Sequence, residues 1–178
     1  GDDLYLAIAD VTGKGIPASL LMANLQAMLH VLTPVAGHLG DVTGHINDII
    51  CQNTPSDKFI SFFWARYAIG TGLLEYVNAG HNPPFVFRAD GTIVELSEGG
   101  MLLGALPTFI PYAHGSYRMR EGDVVVMYTD GVTEAMNALE QEYGEERLIS
   151  VIRANAESDA AGIQDAIVRD VRRFTNDT

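Results

Sequence analysis

Phe-Ile-Ser-Phe-Phe-Trp-Ala-Arg-Tyr-Ala-Ile-Gly-Thr-Gly-Leu-Leu-Glu-Tyr-Val-Asn, residues 59–78, decides the fold class. Its halves, Phe59–Ile69 and Leu73–Asn78, are rich in aromatic and branched residues that suit a pleated, half-buried surface. Gly70-Thr71-Gly72 between them supplies a turn, so the stretch predicts a β-hairpin. The pattern recurs downstream. Phe85–Arg88 and Thr92–Leu96 flank Ala89-Asp90-Gly91, and Tyr112–Met119 and Asp123–Tyr128 flank Arg120-Glu121-Gly122, which predicts a second and a third hairpin. Trp64 and the aromatics around it read as sheet core.

Helical spacing takes over on both sides. Leu4–Ala9 is a short apolar run read as a buried strand. Beyond it, Pro17 suits the first turn of a helix whose stripe is Leu20, Leu21, Leu25, Met28, Leu29 and Leu32, ending near Thr33 before Pro34. Asp41 is the expected N-cap of a second helix carrying Val42, Ile46, Ile49 and Ile50. After the strands, Glu145–Ala156 carries Leu148, Val151 and Ile152, and Ala160–Phe174 carries Ile163, Ile167, Val171 and Phe174. Strands bracketed by helices, without regular βαβ alternation, predict an α+β sandwich with mostly antiparallel sheet.

The 178 residues suit one domain, residues 1–178, and 47% hydrophobic against 19% charged residues is a globular balance. A formal net charge of −12 argues against a nucleic-acid partner, because no basic stripe is available to neutralise phosphates, and it disfavours anionic membranes. The single cysteine, Cys51, excludes an intrachain disulfide, and its Ile-Ile-Cys setting reads as a buried structural thiol. Without a signal peptide or a membrane-length apolar stretch, the expected compartment is the cytoplasm. Both ends read as cut. Gly1-Asp2-Asp3 is a turn signal placed directly before a strand, and Phe174 to Thr178 closes just after a helix. The expectation is a fragment of a longer protein whose open sheet edges favour a homodimer.

Two segments carry chemistry. Ala-Asp-Val-Thr-Gly-Lys-Gly (9–15) and Tyr-Thr-Asp-Gly-Val-Thr-Glu-Ala (128–135) each place an aspartate, Asp10 and Asp130, where a strand-like run gives way. Taken singly, each has an ordinary alternative as a turn or N-cap residue. As a pair, followed by Gly13, Gly15 and Gly131, they suit a hard metal. Mn²⁺ or Mg²⁺ takes oxygen ligands, and Asp10, the backbone carbonyl of Val11 and Asp130 are suitable parts of a two-ion site that hydrolyses a phosphate ester. No Gly-x-Ser-x-Gly elbow or exposed cysteine offers a covalent route. Lys14 lacks Walker spacing; it fits a solvent-facing turn or the mouth of a phosphate site. His81 in Asn-Ala-Gly-His-Asn-Pro-Pro (78–84) reads as a loop histidine that shapes the site by backbone hydrogen bonds, with proton donor or metal ligand as the alternative.

At these residues the chain resembles the bacterial metal-dependent serine/threonine phosphatases of the type 2C superfamily, in the stage II sporulation E and sigma-factor regulatory branch. The matching strings, in the family's order, are residues 9–23, 78–84, Leu-Leu-Gly at 102–104, and Gly-Asp-Val-Val-Val-Met-Tyr-Thr-Asp-Gly-Val-Thr-Glu-Ala at 122–135. The resemblance implies an α-β-β-α sandwich of two mostly antiparallel sheets flanked by helices. It implies Asp10 as a metal-bridging residue, Val11 as a carbonyl donor and Asp130 as the ligand of a second ion. It also implies a phosphoserine or phosphothreonine substrate on an anti-anti-sigma-type regulator, and an attached sensor or receiver domain. Two further acidic motifs of the family find no match here, since Asp2, Asp3 and Asp177 do not align with them; the expected consequence is weakened metal binding. The alternative reading is a non-catalytic adaptor of the same fold, which would bind its partner without metal. A nucleotide switch through Lys14 would instead require ATP or GTP binding.

Overall fold

Strands β1 (Asp3–Val11) and β2 (Ile60–Ala68) pair antiparallel from Asp3 opposite Ala68 to Val11 opposite Ile60, in a computed structural model that describes residues 3–35, 37–54 and 57–176. The chain divides into two compact units, residues 1–83 with 95–120 and residues 84–94 with 121–178. The expected α+β class, with two mostly antiparallel sheets and helices, is what forms. Readings that touch Asp2 and Asp177 lie outside the described residues.

In the first unit, β2 continues into β3 (Leu73–Ala79) as the predicted hairpin, with Ala68 opposite Leu73. β3 then takes two neighbours along its other edge: β6 (Gly99–Gly100), parallel at Asn78 and Ala79, and β7 (Gly115–Arg118), antiparallel from Leu73 to Tyr76. Helices α1 (Ile16–Leu32) and α2 (Leu39–Asn53) supply Leu21, Leu25, Leu39, Ile46 and Ile50 to a core with Ile60, Phe62, Trp64, Val77 and Leu103. Alternation along β2 places Phe62 and Trp64 on this face, so the aromatic run is sheet core as read. Trp64 donates its indole N–H to Thr43 Oγ1 at 2.9 Å, which removes the cost of burying that polar edge.

A polar hub ties α2 to the 104–108 loop. Asn47, 1% exposed, accepts from the Gly104 N–H at 2.8 Å and donates to Leu106 O and Thr108 Oγ1 at 2.9 Å each. Thr108 in turn donates its N–H to Asp48 and its hydroxyl to Gly44 O. Gly104 has φ +83°, and a Cβ there would lie 2.8 Å from Ile50 Cγ2, so glycine is required.

In the second unit, β4 (Phe85–Phe87) lies between β5 (Ile93–Glu95) and β8 (Val124–Val126), giving the order β5-β4-β8. Helices α4 (Glu145–Ala154) and α5 (Ala160–Thr175) complete a core of Phe85, Phe87, Tyr128, Leu148, Ile152 and Ile163. Asp159 caps α5 by accepting from the Gly162 N–H, and Asn176 ends it in the left-handed region at φ 56°.

Several local expectations are corrected. The third hairpin does not form: β7 pairs with β3 and β8 pairs with β4, so Arg120-Glu121-Gly122 connects two sheets rather than two partners. Turn chemistry reports a reversal of direction but not the partner. β8 also stops at Val126, short of the predicted Tyr128. Asp41 is not the N-cap of α2; His38 holds that position, and Asp41 sits in the first turn, where its charge favours the helix dipole. Leu20 is 61% exposed, so the α1 stripe is narrower than its spacing suggested.

Candidate metal-binding residues

Asp10 is the penultimate residue of β1, directly opposite Ser61 of β2. Thr12 closes the ladder beyond it. Its N–H donates to Phe59 O at 3.0 Å, its hydroxyl donates to the same carbonyl, and the hydroxyl oxygen accepts from the Phe59 N–H. In an antiparallel ladder, bonded and non-bonded pairs alternate. With Thr12 bonded to Phe59, the next pair, Val11 and Ile60, is non-bonded, and the Ile60 N–H and carbonyl turn the other way to pair with Leu103. The Val11 carbonyl therefore points outward from β1, which is an edge strand among the described residues.

The Asp10 carboxylate is exposed and makes no hydrogen bond or ion pair among the described residues. It is neither a turn anchor nor a cap, because Gly15 is the N-cap of α1 and no side chain caps that helix. The chain leaves the strand through Gly13 (φ 90°) and Gly15 (φ 82°), whose conformations admit few other residues. A free carboxylate beside an outward-facing carbonyl fits the oxygen-donor chemistry of Mn²⁺ or Mg²⁺.

Ser61 supplies the backing. Residues opposed across a ladder share a face, so Ser61 lies beside Asp10, and its Oγ is 2.8 Å from Nδ1 of His81. His81 is 4% exposed. Its N–H donates to Asn78 Oδ1 at 2.8 Å, and Asn78 Nδ2 donates back to the His81 carbonyl and to Leu96 O. These bonds join the His81 main chain to the Asn78 side chain, and the ring adds a contact to Ser61 that the loop motif does not announce. Ser61 itself was missed. The available signal was one hydroxyl in an otherwise apolar half-strand, and that signal is weak.

Asp130 belongs to the second unit and opens α3 (Asp130–Thr133), a single helical turn. Thr129 is the N-cap and makes no side-chain cap bond, so Asp130 is not the capping residue either. Its main-chain oxygen accepts from the Glu134 N–H at 2.7 Å, while its carboxylate has no hydrogen-bond or ion-pair partner among the described residues. Buried Tyr128 anchors the approach by stacking on Phe85 and donating its hydroxyl to Glu145 at 2.6 Å. Beyond the turn, the Tyr143 N–H donates to Ala135 O and the Gly144 N–H to Thr133 O.

Asp10 and Val11 thus lie in one unit and Asp130 in the other. Among the described residues, no three His, Cys, Asp or Glu side chains form a ready set of metal ligands. Lys14 is exposed. Cys51 is half-buried on α2 with Sγ 3.8 Å from Asn47 Oδ1; burial first, then the nearby Asp48, push its thiol pKa up, which disfavours the nucleophilic thiolate.

The fold is that of type 2C phosphatase domains. The phosphatase domain of the cell-fate determinant SpoIIE from Bacillus subtilis superposes with a TM-score of 0.77 at 17% identity, over 97% of this chain and 53% of that one. The catalytic domain of the serine/threonine phosphatase PstP, solved with two manganese ions, gives 0.70 at 13% identity, over 97% and 83%. The chain belongs to the stage II sporulation protein E (SpoIIE) family, whose model matches residues 1–178. It is 34% identical over 134 residues to the phosphoserine phosphatase RsbU of Bacillus subtilis, covering 75% of this chain and 40% of RsbU. The chain therefore spans well under half the length of that relative. No helix among the described residues is long and apolar enough to cross a membrane.

Proposed function

We propose that residues 1–178 act as a metal-dependent protein phosphatase domain that hydrolyses phosphoserine or phosphothreonine on a regulatory protein of the anti-anti-sigma type. The observation that carries this reading is the unpartnered, exposed carboxylate of Asp10 beside the outward-facing Val11 carbonyl. Family membership and the likeness to a named phosphoserine phosphatase support it. Asp10, the Val11 carbonyl and Asp130 are the proposed ligands. Two bound Mn²⁺ or Mg²⁺ ions would supply an activated water and offset the phosphoryl charge. Ser61 and His81 restrain the strand end that carries Asp10, and the glycines around Lys14 leave backbone room for an incoming phosphate. Regulation through an attached sensor or receiver domain, and pairing of two copies, belong to the same proposal.

The test is calorimetric titration with Mn²⁺ together with hydrolysis of a phosphoserine peptide, on the parent protein and its Asp10→Asn and Asp130→Asn variants. The expected result is metal-dependent hydrolysis, with binding and turnover lost together in each variant. Full hydrolysis by both variants would remove the proposal.

A further inference from the structure

Helices α4 and α5 enclose a shallow groove of about 390 Å³ whose polar lining includes Arg147, Ser150, Asn155, Arg169, Asp170 and Arg173. Three guanidinium groups against one carboxylate make it cationic, in a chain with 23 acidic residues and 11 basic ones. The one acid is already committed. Asp170 accepts from Arg147 Nε at 2.7 Å and Nη2 at 3.2 Å, and from the Tyr143 hydroxyl at 2.9 Å. Arg147 is held further by the rings of Tyr143 and Phe174, 5.3 and 4.8 Å from its guanidinium carbon. The exposed guanidinium groups of Arg169 and Arg173 donate to nothing among the described residues.

The neutral polar groups of the groove are spent within α4 and its end. Ser150 donates to Glu146 O and Asn155 donates to Val151 O, each at 2.8 Å. The donors left to a ligand are therefore guanidinium N–H groups, spread along two helices above apolar and small residues. Such a surface recognises several acceptor oxygens at once. A long polyanion is a poor fit, because the rest of this chain carries the opposite balance of charge and would repel it. We infer that the α4–α5 groove docks a short acidic segment of a protein partner, through Arg169 and Arg173 with Arg147 as the fixed point. The site uses none of the residues proposed for the metal and stands or falls independently of the phosphatase reading.

The test is fluorescence anisotropy of a labelled hexaglutamate peptide titrated with the 178-residue chain. The expected result is saturable binding that weakens with salt, falls roughly tenfold in Arg169→Gln/Arg173→Gln, and is unchanged in Arg153→Gln, an exposed arginine of α4 outside the groove. Circular dichroism of the double variant, whose changed side chains are exposed, confirms that it is folded. Absence of saturable binding, or equal weakening by Arg153→Gln, would overturn the inference. So would a short DNA duplex bound as tightly as the peptide, or displacement of the peptide by an equal concentration of inorganic phosphate.

Discussion

Asp10 and Asp130 stand in similar sequence settings, yet the two units hold them differently. Asp10 is set by long-range structure. Its strand is registered against β2, closed by Thr12 on Phe59, and backed through Ile60 and Leu103 by the Asn47 hub on α2. Asp130 is set by near neighbours. It opens a one-turn helix whose partners, Glu134, Ala135, Tyr143 and Gly144, all lie within a short stretch of chain. A ladder resists displacement because moving one residue disturbs several pairs. A single turn resists only as far as its own closure bonds, so the same carboxylate chemistry rests on a firmer base in the first unit than in the second.

The comparison breaks most directly at the aspartates. Asp10→Asn and Asp130→Asn are each expected to lower phosphopeptide turnover by at least about 100-fold, since loss of a ligand should exceed the effect of losing a supporting contact. Steady-state kinetics with Mn²⁺ would check this, and a mild effect at one position would remove that residue from the proposed ligands. Next in size, Asn47→Ala leaves the Gly104 N–H and the Leu106 carbonyl without their partner, and is expected to cost roughly 2–3 kcal/mol. Urea unfolding monitored at Trp64 would measure it, because Trp64 lies in the same core. No change in midpoint would remove the hub from the account of Asp10. Ser61→Ala is expected to weaken Mn²⁺ binding about tenfold without changing the unfolding midpoint by much. Equal affinity in calorimetry would show that the His81 contact does not reach Asp10.

The smallest effect tests the second unit. Arg147 first, and then the Tyr143 hydroxyl, hold the Asp170 carboxyl below its usual range, against the opposing effect of burial. A carboxyl depressed in the folded state contributes stability that is complete above its unfolded pKa, about 4, and is lost as pH falls through the folded value. Asp170→Asn is therefore expected to cost roughly 1 kcal/mol at neutral pH, the pair being partly exposed, with the difference from wild type shrinking below about pH 4. Thermal melts across that range would check it. Burial first, and then Asp170, push the Tyr143 phenol up to about 12, so its own titration does not confuse the neutral range.

Local signals were legible where local chemistry decides. The β2–β3 hairpin follows from aromatic strands around Gly70-Thr71-Gly72, α1 from Pro17 and its apolar spacing, and α5 from the 3.6-residue stripe of Ile163, Ile167, Val171 and Phe174. The same evidence misled at Arg120-Glu121-Gly122, because a glycine turn looks alike whether the flanking strands pair with each other or with strands elsewhere. It also misplaced the start of α2, where extended His38 precedes the helix and Asp41 serves in the first turn. For the proposed site, the two aspartate motifs stood out because each sets an acid, with glycine following, where an apolar strand-like run gives way. Ser61 was not, because its role comes from the residue opposite it and from a histidine 20 residues further on.

The sequence by itself determined the class of fold, the net negative charge of the chain, and the pair of aspartates on which the proposed chemistry rests. These depend on residue type and short spacing, which the chain carries wherever it goes. Only the tertiary structure decided that the Val11 carbonyl turns outward, that His81 reaches Ser61 beside Asp10, and that arginines on two helices line one groove. Ladder phase and helix packing bring together residues far apart in the chain, and single-residue preferences carry no record of such meetings.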